Sequence, residues 1–292
     1  MLSNSYELVD SGEGGRLERF GDRLLVRPSS HAIWQRRLKT DWTRPFAVYS
    51  EDGTWRLSNP SASRSWTIQA EGYTKSLTLL DNGQVGLFPE HASYLKELRE
   101  EILGLKIDDK EVSLLNLFAY TGMCSCVAAK AGAMVTHVDT SKPILDWAND
   151  DFAKNGISNV RLIKEDALSF MRKELRRGKK YNFIVVDPPG FSRSKDFSWK
   201  IEEIIKELVH LVGGLLGGEG GSAYVTFHGS EFHPETVRNL LLDNNLNPDC
   251  VSVRPLNLRD RAGRCLPSGA LIKVTTKSLI LRDPLRRVSS AG

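Results

Sequence analysis

The chain has 292 residues, 40 % hydrophobic and 26 % charged, with a formal charge of +4 at pH 7. That length holds one large α/β domain and a small addition. No apolar stretch approaches the roughly 20 residues that span a bilayer, and the start Met1-Leu2-Ser3-Asn4-Ser5-Tyr6-Glu7 lacks the basic and apolar runs of a signal peptide; a cytoplasmic protein with no membrane partner is expected. Cys124, Cys126, Cys250 and Cys265 form no disulfide scaffold and no paired Cys/His set at zinc-finger spacing, so no metal is expected either.

Residues 1 to about 85 are rich in Trp, Arg, Ser and Gly. Short alternating runs at Arg23–Arg27, Ala47–Tyr49, Ser65–Ile68 and Ser76–Leu80 predict strands, with turns at Glu51-Asp52-Gly53 and Asp81-Asn82-Gly83. Trp34, Trp42, Trp55 and Trp66 are read as core residues of this small β-rich region. A helix is predicted from Pro89 to Leu103. From Glu111 the pattern alternates. Strands at Val112–Phe118, Met134–Val138, Val160–Ile163, Tyr181–Val186 and Ser222–Phe227 enclose helices at Met123–Ala131, Lys142–Asn155, Ala167–Arg177 and Trp199–Leu216. Such alternation specifies a parallel, doubly wound sheet. A helix at Pro234–Asp243 and two strands, near Cys250–Arg254 and Gly269–Thr275 with a long polar loop between them, predict an antiparallel hairpin at the sheet edge. The expected division is therefore a β-rich region over 1–85, an α/β domain over 86–281 and a frayed tail over 282–292.

The ends of the core strands carry the chemistry. Ligands of open α/β sheets bind at the carboxyl edge. The first strand runs into Asn116-Leu117-Phe118-Ala119-Tyr120-Thr121-Gly122, where Gly122 permits a sharp turn into a helix of small residues. No Gly-x-Gly-x-x-Gly is present, which disfavours a pyrophosphate cofactor. The second strand ends at Asp139, placed to accept both hydroxyls of a ribose. The third leads to Glu165-Asp166-Ala167, where an acid can take a hydrogen bond from an adenine amino group, although Asp166 before a helix also reads as a plain N-cap. The fourth, Phe183-Ile184-Val185-Val186, stops at Asp187-Pro188-Pro189-Gly190-Phe191, because two prolines cannot donate to a ladder. This exit offers a carboxylate, a stiff backbone and, in Phe191, a stacking face. A ribose, an adenine and no phosphate describe S-adenosylmethionine.

Leu115-Asn116-Leu117-Phe118-Ala119-Tyr120-Thr121-Gly122, Val138-Asp139-Thr140-Ser141 and Val186-Asp187-Pro188-Pro189-Gly190-Phe191 together resemble the class I S-adenosylmethionine-dependent methyltransferases, and more narrowly the branch containing bacterial large-ribosomal-subunit (23S rRNA) methyltransferases. Gly86-Leu87-Phe88-Pro89-Glu90-His91 resembles a segment that lies over the cofactor in an uncharacterised subgroup of that branch, and Gly263–Ala270 resembles the subgroup's last loop and strand. The matches cover roughly residues 83 to 276. The resemblance implies a Rossmann-like seven-stranded sheet with a terminal antiparallel hairpin. It also implies S-adenosylmethionine as cofactor, held by Phe88, Glu90, Asn116, Phe118, Tyr120, Thr121, Gly122, Asp139, Ser141, Asp166, Ala167 and Asp187.

Two departures bear on the acceptor. Cytosine-C5 methylation needs a thiolate to attack the ring, but the fifth strand ends Thr226-Phe227-His228-Gly229-Ser230 and the position after the Pro-Pro pair is Gly190; Cys265 lies far along the chain. The N-terminus does not resemble the RNA-binding domain of several relatives. The expected reaction is methyl transfer to a nitrogen of an RNA (rRNA) base. In that reading Asp187 hydrogen-bonds the acceptor region, Pro188 and Pro189 fix the plane, Phe191 stacks on the base, and His228 takes the proton or binds substrate. The charge of +4 permits an RNA partner without demanding one. The Arg172–Lys180 cluster reads as a solvated helix end, the basic residues of the C-terminal third as better placed to meet phosphates, and Ser192-Arg193-Ser194-Lys195 as a phosphate contact or lid. Competing readings are a small-molecule or protein methyltransferase and a non-catalytic cofactor-binding or ribosome-assembly module.

Overall fold

The computed structural model describes residues 6–38, 41–106, 111–193, 198–217, 220–228, 233–243 and 248–276. The predicted tail lies outside them. Strands β1 (Tyr6–Gly12), β2 (Gly15–Phe20), β3 (Arg23–Pro28), β4 (Ala47–Tyr49) and β5 (Trp55–Leu57) form one sheet in that order, and β6 (Ser65–Ala70) pairs with β7 (Tyr73–Thr78) in a separate ribbon. The β1–β2 hairpin and β5 were absent from the sequence expectation. Gly12 and Gly14 have positive φ and Glu13 adopts the left-handed region, so the turn residues, rather than apolar alternation, mark that hairpin. Of the four tryptophans expected in the core only Trp55 is buried; Trp34 and Trp66 are half-buried against the apolar clusters, and Trp42 is half-buried outside them. Their indole N–H groups donate to Ser11, Asp10, Leu80 and Phe20, and Arg36 and Arg23 cover the faces of Trp42 and Trp66.

After helix α1 (Ala92–Lys106) come β8 (Ser113–Leu117), α2 (Met123–Lys130), β9 (Met134–Asp139), α3 (Lys142–Lys154), β10 (Val160–Lys164), α4 (Ala167–Arg176) and β11 (Phe183–Val186). A short ribbon, β12 (Phe191–Arg193) with β13 (Ser198–Lys200), precedes α5 (Ile201–Leu215), β14 (Ser222–Phe227), α6 (Pro234–Asp243), β15 (Val251–Arg259) and β16 (Cys265–Thr275). The large sheet runs β10-β9-β8-β11-β14-β16-β15; β16 is antiparallel to both neighbours, and the other pairings are parallel. All four residues of β11 and all six of β14 are buried, as parallel strands covered by helices on both faces require. Helix α5 buries Ile201, Ile204, Ile205, Leu208, Val209 and Val212 against one face, an i, i+3, i+4 stripe. The other face shares its core with the N-terminal strands: Phe20, Leu25, Trp55, Leu77 and Val85 belong to one cluster with Leu95, Val127 and Phe152. Burying a side chain such as Leu77 stabilises by about 1.5–3 kcal/mol, so the two parts support each other.

The terminal hairpin departs from expectation. The long polar loop is in fact strand: Leu256, Leu258 and Leu266 are buried between exposed neighbours, and only Asp260–Arg264 turns the chain. This extension reaches the N-terminal sheet, where Leu258 and Leu266 pack with Leu8 and Ala32, and Arg264 binds Asp260, Asp10 and the Ser11 carbonyl. Of the basic residues expected to meet phosphates, Lys277, Arg282, Arg286 and Arg287 lie outside the described residues, and three of the others pair with acids of this chain. Arg261 pairs with Glu7, Arg264 with Asp10, and Lys273 with Glu97 and Glu101. Their acidic partners lie far away in sequence and so escape a linear count of charge.

Candidate active site

Strands β9 and β10 lie on one side of β8, and β11 lies on the other, so the chain reverses its winding between β8 and β11. A crevice opens outside the carboxyl ends at such a switch point. There a cavity of about 430 Å³ is lined by Phe88, Phe118, Tyr120, Val138, Asp139, Glu165, Asp166, Ala167, Asp187, Pro188, Pro189 and His228, with Gln84, Thr140, Gly190, Ile201 and Phe227 completing it. Among the described residues four acids face it and no Lys or Arg does, a wall suited to a cationic ligand.

The turn after β8 is shaped by unusual backbone. Phe118 and Tyr120 hold φ of 54° and 50°, and Gly122 holds 83°. Bulky residues in the left-handed region cost of order 1–3 kcal/mol and cluster at ligand sites. The Asp139 carboxylate repays part of that cost, accepting the Tyr120 N–H at 3.0 Å and the Ser141 N–H at 2.9 Å. Burial raises the Asp139 carboxyl pKa, and the backbone donors Ser141, Tyr120 and Thr140 pull it back only in part.

The sequence-predicted residues separate into two groups. Phe88, Phe118, Tyr120, Asp139, Asp166, Ala167, Asp187, Pro188, Pro189 and His228 share the cavity wall; Asn116, Thr121, Gly122, Ser141 and Glu90 do not. Asn116 instead donates to Ser125, whose hydroxyl lies 2.9 Å from His137 Nδ1, a buried chain that packs α2 on the sheet. Burial and then the nearby Lys75 charge depress the His137 pKa to about 3, which leaves that ring neutral. Thr121 donates to the Gly86 carbonyl at 2.6 Å. A Cβ on Gly122 would come within 2.7 Å of the Phe152 ring, so its absence lets the helix approach. Asp166 is both things weighed in the sequence: it caps α4 through the Ser169 N–H and it faces the cavity. The backbone of Phe191 pairs in β12, and its side chain lies outside the described residues.

Sequence reasoning named His228 but left His91 without a role; only the fold brings them together. His228 Nε2 lies 2.8 Å from Asp187 Oδ1, and its Nδ1 lies 2.9 Å from the Ser268 carbonyl. Thr226 donates to the same carboxylate oxygen. His91 Nε2 stands 3.3 Å from Asp187 Oδ2 and 3.2 Å from His228 Nε2. Burial disfavours charge on both Asp187 and His228, but their mutual attraction and hydrogen bond overcome it. Asp187 is held well below the usual carboxylate range, with His91 also contributing, and His228 is raised to about 10. Ligand atoms of His91, Asp187 and His228 lie within 4.8 Å of one another, a spacing at which the three could hold a metal ion.

A pH dependence follows. The raised His228 pKa contributes stability in full below about 6.5, its unfolded value, and loses it as pH rises through about 10. The depressed Asp187 pKa contributes above about 3.9 and loses its share in acid. The melting-temperature difference between the native protein and His228→Gln is expected to be largest between about pH 4 and 6.5 and to shrink toward pH 10. A difference independent of pH over that range would refute the ion pair.

Among solved structures, the SAM-dependent methyltransferase from Agrobacterium tumefaciens matches with a TM-score of 0.86 and 28 % identity, over 93 % of this chain and 90 % of that one. The chain belongs to the class I S-adenosylmethionine-dependent methyltransferases. A methyltransferase complexed with SAH, SMU.776, shares the fold at a TM-score of 0.71 and 16 % identity, over 93 % of this chain and 75 % of its own. No protein-family model matches the chain. Curated relatives named ribosomal RNA large subunit methyltransferase K/L occur in Colwellia psychrerythraea, 38 % identical over 45 % of this chain and 18 % of the relative, and in Pseudomonas syringae pv. syringae, 32 % over 68 % and 24 %. The ribosomal RNA large subunit methyltransferase K of Neisseria meningitidis is 35 % identical over 46 % of this chain and 38 % of its own. The alignments thus span less than two fifths of these curated relatives. The cavity fits the cofactor of a methyltransferase: its carboxylates would face a sulfonium and a ribose, and Val138, Ala167, Phe118 and Ile201 would supply apolar walls for an adenine. Among the described residues no helix is long and apolar enough to cross a membrane.

Proposed function

We propose that the protein transfers the methyl group of S-adenosylmethionine to a nitrogen of a nucleobase in ribosomal RNA. The observation that carries this reading is the Asp187-Pro188-Pro189 exit in the cavity wall, with its carboxylate held by His228 and no thiol among the described lining residues. Cys124, Cys126 and Cys250 are buried outside the cavity wall, burial lifts the Cys124 thiol pKa far above its usual value and that of Cys126 to about 11, and the exposed Cys265 does not line the cavity. A carbon acceptor needs a nucleophilic adduct; a nitrogen needs only its lone pair and alignment. The rRNA part rests on the names of the relatives.

The bound cofactor supplies an electrophilic methyl on a sulfonium. In this reading Asp139 and Asp166 hold its ribose and adenine, and Pro188 and Pro189 fix the plane of the base, with Phe191 as its stacking face. Asp187 accepts an N–H of the acceptor through Oδ2, the oxygen approached among the described residues by His91. The acceptor lone pair would take up the methyl that the cofactor supplies, and the proton then lost from the nitrogen would pass to solvent water. His228, already protonated, keeps Asp187 ionised rather than serving as the base. Residues 1–85 are assigned to the substrate side and 86–281 to the transferring domain.

The test is labelled-methyl transfer to ribosomal RNA from a strain lacking this gene, with RNA from the intact strain as control. Label confined to the unmodified RNA is the expected result; label in neither RNA, with cofactor binding intact, refutes the assignment. Asp139→Ala removes the ribose acceptor and should weaken S-adenosylmethionine binding tenfold to a hundredfold, about 1.5–3 kcal/mol. Calorimetry showing unchanged affinity would remove Asp139 from the site.

A further inference from the structure

Asp187 and His228 leave the ends of two neighbouring parallel strands, β11 and β14, which pair with Val186 opposite Val225. His91 ends the short 3₁₀ turn Pro89–His91, which folds over those ends although it lies 137 residues before His228. The side chains of His91, Asp187 and His228 are largely shielded, at 13 %, 14 % and 28 % exposure. Asp187 and His228 still open onto the cofactor cavity, which gives an ion a path in.

Three ligand atoms converge there. His91 Nε2 stands 3.2 Å from His228 Nε2 and 3.3 Å from Asp187 Oδ2. A tetrahedral ion with bonds of roughly 2.0–2.1 Å sets its ligand atoms about 3.3 Å apart, so these are the separations of two imidazoles and a carboxylate sharing one ion. Two ring nitrogens facing each other at that distance repel if both carry protons, and an ion between them satisfies both. The outer contacts are of the kind that hold metal ligands in place. His228 Nδ1 lies 2.9 Å from the Ser268 carbonyl, with Glu90 Oε1 at 3.6 Å; a proton kept on Nδ1 leaves the Nε2 lone pair for an ion. Thr226 donates to Asp187 Oδ1 and leaves Oδ2 for the same ion.

We infer that His91, Asp187 and His228 form a binding site for a first-row divalent transition metal of the zinc class, held through both Nε2 atoms and Asp187 Oδ2. The ion replaces the Nε2 proton by which His228 bridges to Asp187 Oδ1 at 2.8 Å. Imidazole nitrogens suit zinc and its neighbours, whereas magnesium and calcium take oxygen ligands. Cysteine spacing, on which the expectation of no metal rested, is silent about this set, which contains no cysteine and whose members meet only in the fold. One consequence rests on the base-methylation reading: the ion and an acceptor N–H compete for Asp187 Oδ2, so metal loading stops transfer.

The experiment titrates the full chain, treated with EDTA and then desalted, with zinc chloride in a calorimeter. One equivalent should bind. His91→Gln and His228→Asn should each lower the affinity at least about a hundredfold, since even the outer partners of a metal ligand are worth about 10–100-fold. His31→Ala, which removes an exposed histidine, should bind as the native chain does, and magnesium should not compete. Cobalt(II) in place of zinc should give the visible bands of a low-coordinate nitrogen and oxygen site. The spectrum of the hydrated ion would overturn the site, and this readout stands in if a ligand variant does not fold. Equal zinc affinity in native and ligand variants, or no binding by the native chain, would also overturn it. In labelled-methyl transfer to RNA from the strain lacking the gene, zinc saturation should slow the native protein on the order of a hundredfold relative to protein held in EDTA. Full activity with zinc bound would overturn the competition at Asp187. No labelling in EDTA would overturn the base-methylation reading and the competition with it, while the calorimetry still decides the metal site.

Discussion

Asp187→Asn is expected to lower the turnover of methyl transfer by about two orders of magnitude while cofactor affinity stays within a few-fold. The amide is isosteric, so the cavity keeps its shape. What changes is the charge that His228 and Thr226 hold in place through one oxygen, leaving the other to orient the acceptor. Misplacing a reacting group by about 1 Å can cost a hundredfold in rate, whereas the ribose and adenine contacts proposed for Asp139 and Asp166 are untouched. Single-turnover rates with saturating cofactor, beside calorimetric affinities, separate the two effects. Weakened cofactor binding with unchanged single-turnover rate would make Asp187 a cofactor ligand only. The same substitution removes the partner that raises the His228 pKa, so the variant should also lose the pH-dependent part of its melting profile above about pH 6.5.

The largest loss of stability is expected from Lys75→Met. Lys75 and Asp151 are both fully buried, with Nζ 2.7 Å from Asp151 Oδ2 and 2.5 Å from the Thr121 carbonyl. The pair ties β7 to α3 and to the turn that carries Tyr120 and Gly122. Removing the ammonium leaves a carboxylate in the core and should cost about 3–5 kcal/mol in urea unfolding. Ser76 still donates to Asp151, and the half-exposed Lys154 lies 3.4 Å from its Oδ1, a longer, solvent-screened contact that offsets the charge only in part. Replacing both residues, as Lys75→Met with Asp151→Leu, should recover most of that loss, because an apolar pair of similar volume avoids the stranded charge. A double variant no more stable than the single one would rule out the stranded-charge account. Even when stable, the double variant should bind S-adenosylmethionine more weakly, since the Thr121 turn has lost its clamp.

Lys75 shows why part of the architecture was invisible in the chain. In sequence it is one polar residue in Tyr73-Thr74-Lys75-Ser76, indistinguishable from a solvated strand position. Its partner lies 76 residues away. The same holds for Arg264 with Asp10, and for Lys273 with Glu97 and Glu101, whose pairing turned part of an expected phosphate-binding surface into internal ties. The terminal hairpin was read too short because Leu256 and Leu258 alternate with exposed neighbours, and that alternation acquires a buried face only when the N-terminal sheet arrives against it.

The sequence by itself determined the alternating α/β order, the terminal hairpin and the polar devices at the strand ends. These are local: apolar runs of four to six residues set strands, helical spacing sets helices, and prolines and glycines set where each strand stops. Asp139, Asp166 and Asp187 could be named because a parallel sheet delivers all its carboxyl ends to one edge. Only the tertiary structure decided which neighbours of those acids face the ligand. Asn116 turned into a buried chain beneath α2, Thr140 rather than Ser141 reached the cavity, and Glu90 took the far side of His228. The convergence of His91, Glu90, Asp187 and His228 depends on a segment before the sheet folding over the ends of β11 and β14. Such a contact is fixed by long-range packing, for which a linear pattern carries no period.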